Sequence, residues 1–244
     1  MRRTALAALC IAATATFSLT GCLPGEDKAD GPFAGLTGGE IANKAVKATT
    51  DAESLRMKGE GQDSSGETVQ MDIAMNKKGD CAGTLSMNGE GEAELVKVGD
   101  TIYMKYDEAF VRAQSKGSSK EEADMVVDML AGKWTKTSAT AKDSKDIASF
   151  CDLDTMLADF KDVNSDATRG KTAEVDGTPA ITLDEKDGKD RYTLYVATEG
   201  KPYLLRVVSK SAKEPGDLVF TDYDKPVPAK APKGKVIDLD KDFG

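Results

Sequence analysis

The sequence predicts an α+β fold built on an antiparallel sheet. Apolar residues alternate at period two in two long blocks, roughly 54–105 and 171–223, and the segment between them changes to helical spacing. Short turn clusters rich in Gly, Asp, Asn and Lys interrupt both blocks every several residues. One polar face per strand suits antiparallel pairing, and the order helix, strands, helices, strands is that of an α+β domain.

Taken in chain order, the first element is a leader. Arg2 and Arg3 precede an apolar run from Ala5 to Phe17, too short to span a bilayer, and Leu19-Thr20-Gly21-Cys22 follows it. Two arginines alone do not define a twin-arginine export signal, so the export route stays open. Leu19-Thr20-Gly21-Cys22 resembles the lipobox of bacterial lipoproteins. That resemblance implies cleavage after residue 21 and a diacylglyceryl group on the Cys22 sulfur. Cys22 would then be a membrane anchor, stable once two or more chains are buried at about 0.8 kcal/mol per methylene. Residues 22–37, with "LPGEDKADGPFAGL", read as a flexible tether, and residues 38–239 as one domain followed by a polar tail at 240–244.

The domain opens with a helix. Thr37-x-x-Glu40 forms a capping box, and Ile41, Ala45, Ala48 and Ala52 share a face. Strands follow on the alternating sets Leu55 and Met57; Val69, Met71, Ile73 and Met75; and Cys81, Gly83, Leu85 and Met87. Two more strands run over Glu94–Val98 and Thr101–Lys105. Asp107 caps a helix carrying Phe110 and Val111, and Ser119-x-x-Glu122 caps a second with Met125, Val126, Met129 and Leu130 facing the core. Leu153, Met156, Leu157 and Phe160 form a further helical stripe. Strands return over Lys171–Val175, Ala180–Asp184, Arg191–Ala197, Tyr203–Ser209 and Asp217–Tyr223. The acidic "DEKDGKD" lacks the spacing of a calcium loop and reads as a hairpin turn at Asp187-Gly188, while the terminal "DLDKDFG" reads as a solvated tail.

Composition narrows the chemistry. The chain has 244 residues and no histidine, which removes Ser-His-Asp and Cys-His catalysis and any His-ligated metal. No P-loop or dinucleotide fingerprint is present, and the reading is of a non-enzymatic protein without cofactor or metal; carboxylate pairs remain the third-ranked, enzymatic alternative. The net charge of −9 becomes −11 once Arg2 and Arg3 leave with the leader, which disfavours nucleic acid. Of four cysteines, Cys10 leaves with the leader and Cys22 is the anchor. Cys81 and Cys151 remain, and in an exported protein they are expected to pair.

Nine methionines concentrate on the predicted strand and helix faces that turn toward each other. Met is adaptable and suits a surface that accepts varied apolar shapes, though it also serves as ordinary core. The alternation nominates Met57, Met71, Ile73, Met75, Leu85, Met87, Met104, Met129, Leu153, Met156 and Leu157 as lining an apolar cavity. Trp134 could wall that space or pin a loop.

"VGDTIYMKYD" (98–107), "LAGKWTK" (130–136) and "DYDKPVPAKAP" (222–232) resemble the actinobacterial lipoproteins LppX and LprG, related in fold to the lipid carrier LolA. The resemblance implies a strongly curved antiparallel sheet, an open half-barrel with helices on its concave face, and an apolar cavity for acyl chains of a lipid or lipoglycan. The expected protein is a monomer, held extracytoplasmically at the cell membrane through the Cys22 anchor, which carries or presents its ligand. The other reading is a filled-core surface lipoprotein that meets envelope proteins or glycans.

Overall fold

The computed structural model describes residues 32–62, 66–158, 166–212 and 214–242. The leader, Cys22 and Phe160 lie outside the described residues. The first helix, α1 (Gly38–Asp51), starts as expected: the Thr37 hydroxyl accepts from the Glu40 amide, and the Glu40 carboxylate returns to the Thr37 amide. Five strands follow: β1 (Ser54–Gln62), β2 (Thr68–Asn76), β3 (Cys81–Met87), β4 (Ala93–Val98) and β5 (Thr101–Tyr106). Helices α2 (Glu108–Gln114) and α3 (Lys120–Leu130) lead to β6 (Trp134–Ser138), then to the short helices α4 (Lys145–Ser149) and α5 (Leu153–Met156). The second block is β7 (Thr168–Val175), β8 (Thr178–Asp187), β9 (Asp190–Ala197), β10 (Leu204–Ser209) and β11 (Gly216–Thr221), closed by β12 (Val236–Asp238) and α6 (Leu239–Asp242).

All twelve strands form one open sheet in the order β12-β6-β5-β4-β3-β2-β1-β11-β10-β9-β8-β7. Every pairing is antiparallel except that of β12 with β6. The two blocks of the sequence thus join through β1 and β11, where Met57 faces Phe220. The sheet is curved, and two inward-facing glycines permit close strand approach. A Cβ on Gly59, which has φ +150°, would lie 1.9 Å from the Asp217 carbonyl oxygen, and one on Gly83 would lie 2.1 Å from that of Asp72. Neither position accepts a side chain without moving backbone.

The inner face carries the core. Leu55, Met57, Ile73, Met75, Leu95, Ile102, Leu183, Leu194 and Phe220 are fully buried there in one cluster with Ile41 and Ala45 of α1 and Leu153 and Leu157. The α1 helix packs against β7, β9 and β10, and the buried Thr49 hydroxyl accepts from the Leu204 amide at 3.0 Å. On the other side Cys81 of β3 is bonded to Cys151, which holds the α4–α5 segment over the sheet.

Three expectations are corrected. Trp134 begins a strand, β6, paired between β5 and β12, instead of a loop. The "DLDKDFG" segment is not simply solvated: Val236–Asp238 pair with β6, and Asp240 accepts from the Thr137 hydroxyl and the Ser138 amide, both at 2.8 Å. The α3 helix does not turn its methionines inward. It packs beside α2 and buries Val127, leaving Met125 64% and Met129 37% exposed, because a helix at the surface buries only a narrow stripe.

Candidate functional site: an apolar groove on the inner face

The register of the central strands explains where open space remains. On the inner face Leu55 faces Met75 and Met57 faces Ile73 at one end of β1; Gly59 faces Met71 and Gly61 faces Val69 toward the other. Glycines at the second end leave a shallow floor, and the same rows continue on β3 with Leu85 beside Met71 and Met87 beside Val69. Alternation therefore places one apolar face along these strands, but only its first half is filled by α1, Leu153 and Leu157.

The uncovered half is a groove of about 560 Å³. Val69, Met71, Leu85, Met87, Ala93, Met104 and Leu218 form its floor, with Gly61 and Gln62 at the rim. Tyr106, and Phe110 and Gln114 of α2, make one wall, and Ile147 of α4 with Phe150 the other. The Tyr106 and Phe110 rings stack at 5.4 Å between centroids. The Tyr106 hydroxyl turns to the Met104 sulfur at 3.3 Å, and burial raises its pKa above the ordinary phenol value. Low polarity and volume of this order suit a hydrocarbon guest, with no charged side chain in the lining.

Local sequence positions each wall. The Asp107 carboxylate accepts from the Phe110 amide at 2.7 Å, starting α2 so that Phe110 falls in its first turn beside Tyr106. Ile147 and Phe150 stand three residues apart just before Cys151, so the disulfide to β3 draws them over the floor.

Of the nominated residues, Met71, Leu85, Met87 and Met104 line this groove. Met57, Ile73, Met75, Leu153 and Leu157 sit in the solid core at 0–1% exposure, Met156 packs partly buried against it, and Met129 faces outward. Val69, Tyr106, Phe110, Ile147, Phe150 and Leu218 were not nominated. Val69 shares the alternation of Met71 and was legible; the aromatic and helical residues depend on where α2 and α4 dock.

A larger hollow of about 880 Å³ lies on the opposite face and has different chemistry. Arg56 donates to Asp72 at 2.5 Å and Arg206 to Asp217 at 2.7 Å, so its charges satisfy one another across neighbouring strands. Such a surface offers nothing to an alkyl chain. Among the described residues no group of three or more His, Cys, Asp or Glu side chains is placed to hold a metal, and no helix is long and apolar enough to cross a membrane.

No protein-family model matches the chain, and no curated protein matches it. Among solved structures it is similar to LprF from Mycobacterium bovis, at 14% identity and a TM-score of 0.57, over 81% of this chain and 97% of that one. It is also similar to the Mycobacterium tuberculosis lipoprotein LppX, at 15% identity and a TM-score of 0.50, over 79% of this chain and 98% of that one. At these identities the likeness is one of fold, and it is the fold that the resemblance in sequence implied.

Proposed function

We propose that the protein is a membrane-tethered lipid-binding lipoprotein that carries or presents an acylated molecule at the cell envelope. The apolar groove between the inner sheet face and helices α2 and α4 carries this reading. Fold likeness to two mycobacterial proteins, LprF and the lipoprotein LppX, supports it. Binding is by burial without covalent chemistry, each methylene leaving water contributing about 0.8 kcal/mol against the cost of association. Met71, Leu85, Met87 and Met104 supply an adaptable floor, and the aromatic pair Tyr106–Phe110 a rigid wall.

The attachment reading rests on Cys22 in the lipobox-like Leu19-Thr20-Gly21-Cys22. The chain enters the domain at a defined point: the Arg169 guanidinium donates to the carbonyl oxygens of Phe33, Leu36 and Pro32 at 2.9, 3.1 and 3.4 Å. Ten residues from Cys22 to Pro32 reach at most about 35 Å, which keeps the domain beside the bilayer.

The test is a Cys22→Ala form exported from an actinobacterial host, purified without detergent and weighed by native mass spectrometry. Discrete added masses that extract into organic solvent are expected. A bare polypeptide mass that also binds no apolar dye would overturn the reading in favour of a filled-core interaction protein.

A further inference from the structure

The groove does not stop at its rim. Gly61, Gln62 and Leu218 also line a second hollow, of about 390 Å³, beyond β1 on the inner face. The inward row Leu85–Met71–Gly59–Leu218 crosses the groove, and Val207 and Leu194 of β10 and β9 continue it into that hollow. Two positions along the same strands stand Ser209 and Tyr192. Past β11 the apolar floor is therefore a single row with a polar margin, wide enough for one hydrocarbon chain.

Gly61 sits where the two hollows meet. A glycine inside a strand costs stability, and it is found where the backbone bends or where another group approaches closely. Gly59 and Gly83 have backbone as that group, since a Cβ on either would overlap a carbonyl oxygen of the neighbouring strand. Gly61 has no such reason. Its φ lies outside the left-handed region, and a Cβ there would meet only the Pro215 carbonyl oxygen, at 3.8 Å. The backbone thus accepts a side chain at position 61. Such a side chain would stand on the inward face, in the same row as Val69, and would divide the space the two hollows share.

We propose that Gly61 is the specificity-determining position for chain length, and that the ligand carries a hydrocarbon chain too long for the groove alone, which passes over Gly61 into the second hollow. This rests on the reading of the groove as an acyl-chain site and adds the class of chain. Neighbouring strands lie about 4.8 Å apart, so the five spacings from β5 to β11 offer at most about 24 Å. An extended chain advances about 1.2 Å per bond, which makes that span about 20 carbons. The seven spacings from β5 to β9 offer at most about 34 Å, or about 28 carbons.

The test equilibrates the purified protein with an equimolar mixture of saturated fatty acids of 12, 16, 20 and 24 carbons and reads their occupancies by native mass spectrometry. The unaltered protein is expected to hold the 24-carbon acid at least as well as the 16-carbon one. In Gly61→Leu the ratio of 24-carbon to 16-carbon occupancy should fall about tenfold or more, because the far end of the longer chain stays in water. The 12-carbon acid should bind that variant as before, which also reports an intact groove. Gly61→Ala, too small to close the passage, should keep the ratio within about twofold. An unaltered protein that excludes the 24-carbon acid overturns the inference while leaving the groove reading in place. So does a Gly61→Leu variant whose profile matches the unaltered one, or which loses all four acids alike. Failure of the unaltered protein to hold any of the four overturns the groove reading itself.

Discussion

Breaking the Cys81–Cys151 bond is expected to act on stability and on the groove together. The two cysteines are 70 positions apart and both fully buried. Constraining a loop of that length removes about 4 kcal/mol of unfolded-chain entropy in the loop-closure model. Comparing oxidised protein with protein refolded under reductant keeps every other atom, so no cavity term enters. With a urea slope of about 2 kcal/mol per molar, the unfolding midpoint should fall by about 2 M. The groove should respond before the fold does, because Cys151 directly follows Phe150 and lies four residues beyond Ile147, both wall residues. Apolar-dye affinity measured well below the unfolding transition should therefore drop in the reduced form. A midpoint shift under about 0.5 M would refute the entropic argument and mean that the unfolded chain keeps these segments together. Unchanged dye affinity would refute the assignment of the wall to the disulfide.

Replacing Met87 or Met71 with Trp puts a bulky ring into the floor; if it displaces about three methylenes of a bound chain, affinity should fall roughly fiftyfold with the fold intact by circular dichroism. Unaltered lipid occupancy in both variants would remove this floor from the binding site. Gly83→Ala forces a methyl to within 2.1 Å of the Asp72 carbonyl, and should cost about 2 kcal/mol or more by urea unfolding. Asp224 has its pKa lowered to about 2, chiefly by the Tyr203 hydroxyl at 2.7 Å, then the Glu53 amide at 2.9 Å and the Lys201 ammonium at 3.0 Å. A carboxylate depressed in the folded state stabilises above its unfolded value near 4, and that contribution is lost as pH falls from about 4 through 2. Asp224→Asn keeps a residue suited to its φ of +58° and should flatten the acid limb over that window in a pH-dependent unfolding series.

Much of the fold was written locally. The Thr37 and Ser119 capping boxes start α1 and α3 where their residues demand it, and the period-two runs mark the ten strands β1 to β5 and β7 to β11 at their expected places. These features depend on hydrogen bonds and side-chain direction within a few residues, which spacing alone encodes. The two strands not foreseen, β6 and β12, are short and lie at one end of the sheet, β12 at its edge. The β12 strand pairs with β6 about a hundred positions away, and β6 is too short, at five residues, for a local period to announce it.

Alternation also identified which side chains face inward, Met57 and Ile73 as surely as Met71 and Met87, since successive residues of a strand must point to opposite faces. It carried no information on position along the strand axis. Tertiary structure decided that: α1, Leu153 and Leu157 cover the end holding Met57, Ile73 and Met75, while α2 and the disulfide-held α4 stand apart over Met71, Leu85 and Met87. Whether an inward apolar residue becomes core or groove floor turns on how far a helix from elsewhere in the chain reaches across it. That reach is set by packing between distant segments and by the glycines that bend the sheet.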